Sequence, residues 1–436
     1  MSNDPLSEWA EGQRCFKDWV QACSTASVGH PSPPIFLRWA ALTCVSAALG
    51  RHVMFNTSKR GLGGITIRPN IYSVLVARPG RFKSLSISLP FGDILEPLSQ
   101  VIGTGGREAE LNSLSWKKYL PYSTHPIYTV SDSATYQEMA RQMDKLSHPL
   151  LEFPPGMFES AVTLITDEWG TFMDRDSKGL QTFLTQCWDS KNRVEYHTKN
   201  KGTDFILGGT ITWMAGSTPE QFIANLPKNA DEQGLLSRLL PVYYEGARKP
   251  AQREIEGCDA DTAEWLRMDL GRIASIYGQY RFSDEANVLF DEWIAAGEPP
   301  LPSDPSMEEF NTRRWAHRIK IAMCVAASRH SGLVIEADDW NTAHAMVTEI
   351  EHKMPRLLRR FSMGDAGKFA DQLLEFMEDN APTIRGVRQM RSSRLKQEAL
   401  RLCKTSQDVD RTLQLMIDAG YIEDRDGMFV LREEME

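Results

Sequence analysis

Cysteine is sparse and unpatterned in this chain. The seven cysteines (positions 15, 23, 44, 187, 258, 324 and 403) are odd in number, scattered, and include no C-x-x-C pair. They offer neither a disulfide framework nor a thiolate zinc site, and point to a reducing, cytosolic compartment. The nine histidines show no metal-ligand spacing. Long apolar runs are missing as well: none reaches the roughly 18 residues that cross a bilayer, so no membrane partner is expected. Met1–Arg14 is polar and lacks an apolar core, which argues against a secretory leader. Internal repeats and low-complexity tracts are absent. Positive charge is not in surplus either, since 49 Lys and Arg against 58 Asp and Glu leave a net charge of −9. That excludes a protein that wraps duplex DNA over its whole surface, while leaving room for local basic patches.

What is present is the balance of a soluble globular protein, 42% hydrophobic and 25% charged over 436 residues, a length that implies two to four domains. Apolar periodicity makes the first 60 residues helical, around Phe16–Cys23 and again over Ile35–Leu49 after the breaker His30-Pro-Ser-Pro-Pro34. From about 65 to 245, short β-rich runs alternate with helical stretches: Ile71–Val76, Ile127–Val130, Ala161–Thr166, Phe205–Leu207, Ile211–Met214 and Leu239–Tyr244. Such continuous apolar runs read as buried parallel strands. A helical region follows, broken by the proline-rich 297–305 and continued by helices near Met307–Arg329 and Ala337–Phe361. Past a linker at Ser362–Gly367, helices near Phe369–Glu378, Leu395–Cys403 and Gln407–Ala419 and a hairpin turning at Asp426-Gly427 make a winged-helix pattern. The expected segments are 1–60 (helical), 61–250 (α/β core), 251–361 (helical) and 366–436 (winged helix).

The chemistry centres on Asn70-Ile-Tyr-Ser-Val-Leu-Val-Ala-Arg-Pro-Gly-Arg-Phe-Lys83-Ser84. A buried strand runs into a turn that ends in Lys-Ser where a helix begins, the layout of a phosphate-binding P-loop. Gly80, Arg81, Phe82, Lys83 and Ser84 would cradle the phosphates of ATP, with Lys83 on the β/γ-phosphates and the Ser84 hydroxyl on Mg²⁺. Two positions depart from G-x-x-x-x-G-K-[ST], where Ala77 and Phe82 replace glycines. Pro90 is expected to kink or end the following helix after barely two turns.

A second apolar strand, Ala161–Thr166, ends in Asp167-Glu168. Asp167 would stand near the metal and Glu168 would orient or deprotonate the attacking water. A solvated strand end reads the same way, and only the P-loop upstream favours chemistry. Ile211–Met214 leads to Ser217-Thr218-Pro219, where Ser217 or Thr218 would sense the γ-phosphate, or simply cap a helix. Arg238, in Gly234-Leu-Leu-Ser-Arg238, would reach a neighbouring subunit's site as an arginine finger, or else form an internal salt bridge.

In their order and spacing these blocks resemble the phage and prophage replicative-helicase-like P-loop ATPases. The matching blocks are Phe36-Leu-Arg-Trp…Gly50-Arg51, Arg68-Pro-Asn-Ile-Tyr…Lys83-Ser84, Ser131-Asp-Ser-Ala-Thr135, Asp167-Glu168, Thr185-Gln-Cys-Trp-Asp-Ser…Tyr196-His-Thr-Lys199, Ala215-Gly-Ser-Thr-Pro219 and Gly234-Leu-Leu-Ser-Arg238. They cover about 35–355. The resemblance implies a RecA-like α/β motor that assembles as a homo-oligomeric ring on DNA, in which Lys83, Ser84, Asp167, Glu168, Thr218 and Arg238 take the roles just described. A non-glycine residue before the P-loop lysine is frequent in that family.

The DNA side rests on charge. Residues 385–404 carry Arg385, Arg388, Arg391, Arg394, Lys396, Arg401 and Lys404 against one acid, Glu398. Residues 310–335 carry Arg313, Arg314, Arg318, Lys320 and Arg329. Contacts of this kind give affinity without sequence information, though a solvated helix face looks the same. The sequence therefore leads to a DNA-dependent ATPase, a helicase-type motor or loader in phage or mobile-element replication, acting on single-stranded or forked DNA with other replication proteins. The competing readings are a DNA-binding or scaffold protein with a degenerate P-loop, and a winged-helix regulator with an accessory domain.

Overall fold

Six strands align in parallel: β1 (Tyr72–Val76), β2 (Ser99–Ile102), β3 (Ile127–Val130), β4 (Phe158–Thr166), β5 (Gly209–Ser217) and β6 (Leu239–Tyr243). The structure, a computed structural model, describes residues 14–26, 29–58, 64–102, 116–121, 126–130, 135–149, 158–173, 177–198, 202–226, 234–246, 257–362, 369–370, 372–374, 376–377, 380–384, 387–403, 405–418 and 420–431. Every residue of β1, β5 and β6 is buried. Helices cover both faces of a sheet of this kind.

Across the sheet the order is β6-β1-β5-β4-β3-β2. The chain leaves β1 for the far edge and then steps back strand by strand until β6 passes beyond β1. Right-handed crossovers place the β1–β2 connection on one face and the returning connections on the other. The crevice this creates opens past the carboxyl ends of β1 and β5. Two expectations are corrected. Ser99–Ile102 is a sheet strand that the apolar pattern missed, and Phe205–Leu207 belongs to an antiparallel ribbon, Arg193–Thr198 with Gly202–Leu207, outside the main sheet.

The helix α1 (Pro34–Leu49) has proline at its first position and is buried at every residue except Pro34 and Arg38. A helix apolar all round must be enclosed. It packs against β5, against Ala260–Ala274 and against Arg314–Arg329. After it, Val53–Asn56 pairs in parallel with Gly278–Phe282 and antiparallel with Thr66–Ile67. The N-terminal, central and helical segments, expected as separate domains, are thus interleaved in one compact unit, Met1–Pro355. The second unit is Arg356–Glu436. The expected linker at 362–367 lies outside the described residues after Ser362. No helix among the described residues is long and apolar enough to cross a membrane.

Further helices used below are α2 (Lys83–Ile87), α3 (Ser177–Trp188), α4 (Pro219–Ala224), α5 (Arg314–Arg329) and α6 (Ala337–Ser362). Helix α2 passes directly into a π-helical stretch, Ser88–Leu95, that contains Pro90. The proline does not end the helix. Lacking an N–H, it removes one α-type bond, and the chain continues with the wider turn.

The basic stretch 310–335 is not an exposed patch: Arg314, Arg318 and Lys320 are interior, and Arg313 and Arg329 are half-buried beside acids. Arg314 and Arg318 are fully buried in α5 and both grip Glu351 of α6: Arg314 at 2.7 and 2.9 Å, Arg318 at 3.0 and 2.9 Å. Lys320 is buried, Arg329 pairs with Asp18, Asp338 and Asp339, and Arg313 lies 3.8 Å from Asp189.

In the second unit the described residues among 369–380 are helical and precede β7 (Thr383–Ile384), β8 (Val387–Arg391), α7 (Ser392–Leu402), α8 (Ser406–Asp418), β9 (Ile422–Arg425) and β10 (Met428–Leu431). The four strands form an antiparallel sheet ordered β7-β8-β10-β9. The hairpin turns at Asp426 and Gly427, both with positive φ, as a two-residue turn of this chemistry requires. Its core is built from residues such as Leu373, Met377, Met390, Leu395, Leu413 and Phe429.

Glu351→Ala is expected to leave two buried guanidiniums without a carboxylate and to cost about 3–5 kcal/mol in urea unfolding. Burial pushes the Glu351 carboxyl up, but Arg314 and Arg318 outweigh this and hold it below the usual glutamate range. That contribution is therefore present near neutral pH and is lost as pH falls through the lowered value. A loss under about 1 kcal/mol would show that apolar packing alone holds α5 to α6.

Candidate functional site

The loop after β1 is bound to its neighbours before any ligand arrives. Ala77 N–H donates to the Ser217 carbonyl at 3.2 Å, and Tyr244 N–H donates to the Val76 carbonyl at 3.0 Å. Ala77 is fully buried, so its methyl is packed at the strand end and does not narrow the loop itself. Arg81 Nε donates to the Gly246 carbonyl at 3.0 Å, fixing the loop to the chain that leaves β6.

Phe82 occupies a left-handed conformation, φ 56° and ψ 36°, at the N-cap of α2. This is the backbone region that favours glycine, and it accounts for the glycine in the motif at this position. Here a phenylalanine takes the same conformation. Its carbonyl accepts three hydrogen bonds, from Ser32 Oγ at 3.0 Å, Ser86 N at 3.0 Å and Ser86 Oγ at 2.9 Å. Gly80 also has positive φ, 75°. The turn at Pro79-Gly80 folds Arg81 N–H back toward the Arg78 carbonyl, and Phe82, Lys83 and Ser84 stand at the start of α2, where helix N–H groups have no partner one turn earlier. N–H groups at a turn and helix start form a cradle for an anion.

Lys83 folds back on this loop, with Nζ 2.7 Å from the Ala77 carbonyl and 3.3 Å from that of Arg78. Burial pushes its ammonium down to about 8; Glu220 in the first turn of α4 opposes that shift and Arg81 adds to it. Ser84 is exposed beside it. Strand β4 delivers Asp167 and Glu168, both exposed, at its carboxyl end. The point of convergence is Gly216 near the end of β5: a β-carbon there would stand 3.0 Å from the Asp167 carbonyl oxygen and 3.8 Å from Lys83 Cβ. The lysine-bearing turn and the aspartate-bearing strand end thus close on one bare Cα.

Thr218 caps α4, its side chain accepting from Gln221 N at 3.2 Å, and Ser217 Oγ donates to the Thr218 carbonyl at 3.0 Å. The capping alternative is therefore realised. For Arg238, the salt-bridge alternative holds. It is almost fully buried, contacts Asp189 at 2.9, 3.0 and 3.2 Å, and donates to the Gly234 carbonyl at 2.6 Å. It precedes Leu239, which pairs with Tyr72, whereas the loop bearing Lys83 leaves the Val76 end of the same ladder. At about 3.3 Å per residue that is roughly 13 Å away along the strands, and the guanidinium is turned inward.

Gly216, Glu220, Ser32 and Gly246 were not singled out from sequence. A glycine in a buried strand marks close backbone approach, so Gly216 carried a readable signal. Glu220 reads only as an acid in a helix's first turn. In the second unit Arg391, Arg394 and Lys396 are exposed, Arg388 is half-exposed, and Arg401 is exposed beside Glu398 at 3.0 Å. Arg385 and Lys404 lie outside the described residues.

Comparison with protein-family models finds no match to this chain, and comparison with curated proteins finds none.

Phe82→Gly exchanges a left-handed penalty of about 1–2 kcal/mol for a backbone-entropy cost of about 0.5–1 kcal/mol, so unfolding should change by less than about 1 kcal/mol. A loss above about 2 kcal/mol would mean that the ring, not the backbone, defines this position. Deprotonation of Lys83 near pH 8 should weaken binding of nucleoside triphosphate as pH rises from 7 to 9, approaching about tenfold per unit above 8. Lys83→Arg should flatten that slope, because its guanidinium keeps the charge throughout. Calorimetric titration at four pH values reads both.

Proposed function

We propose that the larger unit is a RecA-like P-loop ATPase and that the chain is a DNA-dependent motor or loader of the replicative-helicase type. The observation that carries this is the meeting of Lys83 and Asp167 on Gly216, at the carboxyl ends of β1, β4 and β5, where the strand order reverses.

The donor set suits the ligands. Mg²⁺ takes hard oxygen ligands, usually one or two carboxylates completed by phosphates and water. Ser84 Oγ and Asp167 would hold it, and among the described residues no cluster of three His, Cys, Asp or Glu competes as a self-sufficient metal site. When bound, the ion would neutralise charge on the phosphates. The N–H groups at the start of α2, Phe82 to Ser84, would orient the phosphate chain. Lys83 would move its ammonium from the Ala77 and Arg78 carbonyls onto the phosphates, whose charge would restore the proton affinity that burial lowers. Glu168, exposed and next to Asp167, would orient the attacking water and accept its proton. Thr218, at the end of β5, would face the terminal phosphate while still capping α4.

The second unit is read as a winged helix: a helical segment, the paired strands β7 and β8, two helices and a two-stranded wing in that order. Its exposed Arg391, Arg394, Lys396 and Arg401 support contact with DNA phosphates. Assembly into a ring rests on the family resemblance alone, since Arg238 is engaged within its own chain. The main argument for a retired P-loop was Phe82. That argument weakens, because Phe82 holds the conformation the motif needs.

The test is Mg²⁺-ATP turnover with and without single-stranded DNA. We expect turnover that rises with DNA and is abolished in Glu168→Gln and in Lys83→Ala, with nucleotide still bound by the former. Absence of turnover in the unaltered protein, with DNA binding retained, would instead establish a binding or scaffold protein.

A further inference from the structure

The second unit separates its charges along the chain. Within described residues 383–403, Arg388, Arg391, Arg394, Lys396 and Arg401 stand against Glu398 alone, a net charge of +4. Within 405–431, Asp408, Asp410, Asp418, Glu423, Asp424 and Asp426 stand against Arg411 and Arg425, a net charge of −4.

The separation is also one of surfaces. Helix α7 buries Leu395 and Ala399, and turns Arg394, Gln397 and Arg401 outward at three- and four-residue spacing, with Lys396 exposed beside them. Arg391 is its N-cap residue and is exposed; Arg388 sits on β8 opposite Thr383. Helix α8 buries Val409, Thr412, Leu413 and Met416 and turns Gln407, Asp410, Arg411, Gln414 and Asp418 outward. At the hairpin, Arg425 is spent on Glu423 at 3.0 and 3.1 Å, which leaves Asp424 and Asp426 exposed at the tip.

In a helix pair of this kind the second helix enters the major groove and the first crosses the backbone. Here the second helix and the wing carry the wrong sign to approach phosphates, and the first carries the right one. Resting on the DNA-binding reading above, we propose that this unit holds nucleic acid through the β8–α7 face, by phosphate contacts that do not read sequence. Helix α8 and the hairpin then face away from the nucleic acid. Arg394 and Arg401 lie seven residues apart, about 10 Å along the helix, so they reach different phosphates. Such binding suits a protein that moves along its track, since no base sequence holds it in place.

The test uses the full chain and labelled single-stranded and duplex oligonucleotides of two unrelated sequences, titrated at several salt concentrations. Replacing Arg391, Arg394 and Lys396 together by alanine should weaken binding at least tenfold at about 0.1 M salt and lower the log–log salt slope by about 2. Arg411→Ala should leave affinity unchanged, and replacing Asp410, Asp418 and Asp424 by asparagine should leave it equal or tighter. All are surface positions, and a thermal melt checks that each variant is folded. Loss of binding in Arg411→Ala with retention in the triple variant would overturn the proposal in favour of groove reading by α8. Strong preference for one sequence would overturn it too. If the unaltered chain binds no nucleic acid and the basic face captures an acidic polypeptide such as polyglutamate, the DNA-binding reading itself falls.

Discussion

One buried ammonium holds the larger unit together. Lys320, near the middle of α5, is almost completely enclosed, with Nζ 2.7 Å from Asn70 Oδ1, 3.0 Å from the Arg68 carbonyl and 3.2 Å from the Trp188 carbonyl. Burial pushes it down to about 7. An enclosed cation is tolerated only when each of its protons has an acceptor. The acceptors are fixed in turn: the Asn70 amide donates to the Cys187, Trp188 and Ile211 carbonyls at 3.2, 3.2 and 3.0 Å. Through these few atoms the entry to β1, the end of α3, strand β5 and helix α5 are located relative to one another. None can shift without leaving a buried polar group unpaired, at a cost of about 1–3 kcal/mol each.

That constraint divides the parallel sheet into two ends with different chemistry. Around the amino ends of the strands three buried cations are paired: Lys320 with carbonyls, Arg238 with Asp189, and Arg51 with the Ser190 carbonyl and Thr210 at 2.8 and 3.1 Å. The carboxyl ends carry exposed Ser84, Asp167 and Glu168, and the turn that leads into the N-terminus of α2. A rigid base of satisfied polar groups holds the strands in place beneath the edge that carries the exposed ones. The inward turn of Arg238 follows from this division, since it stands at the satisfied end.

Much of this was legible in the sequence, and the failures share a cause. Ile127–Val130 was placed to the residue, and β1, β4, β5 and β6 within a few residues, because a strand buried on both faces is an apolar run that needs no partner to be recognised. The strand–turn–helix around Lys83 and the strand that ends at Asp167-Glu168 were legible for the same local reason. Ser99–Ile102 was not, as its two polar residues in four give no run. The basic residues of α5 misled because their counterpart, Glu351, lies on another helix and gives no local sign of pairing. Arg238 and Asp189 are likewise separated by 49 residues. Sequence shows where charge is placed, and only the fold shows which charges are spent on each other.

Phe82 illustrates the limit of motif reading most sharply. A consensus scores glycine by identity, whereas the physical requirement is a backbone in the left-handed region that leaves the following N–H groups facing outward. A side chain can meet that requirement if the surroundings outweigh a strain of about 1–2 kcal/mol. The surroundings here are specific: the buried Ser32 hydroxyl and both hydrogen-bonding groups of Ser86 hold the Phe82 carbonyl. Ser32 comes from the Pro-rich turn that enters α1, and α1 is gripped by α5. The unusual residue in the loop and the enclosed helix at the centre of the unit are therefore one structural solution, in which the core supplies the rigidity that a glycine would have made unnecessary.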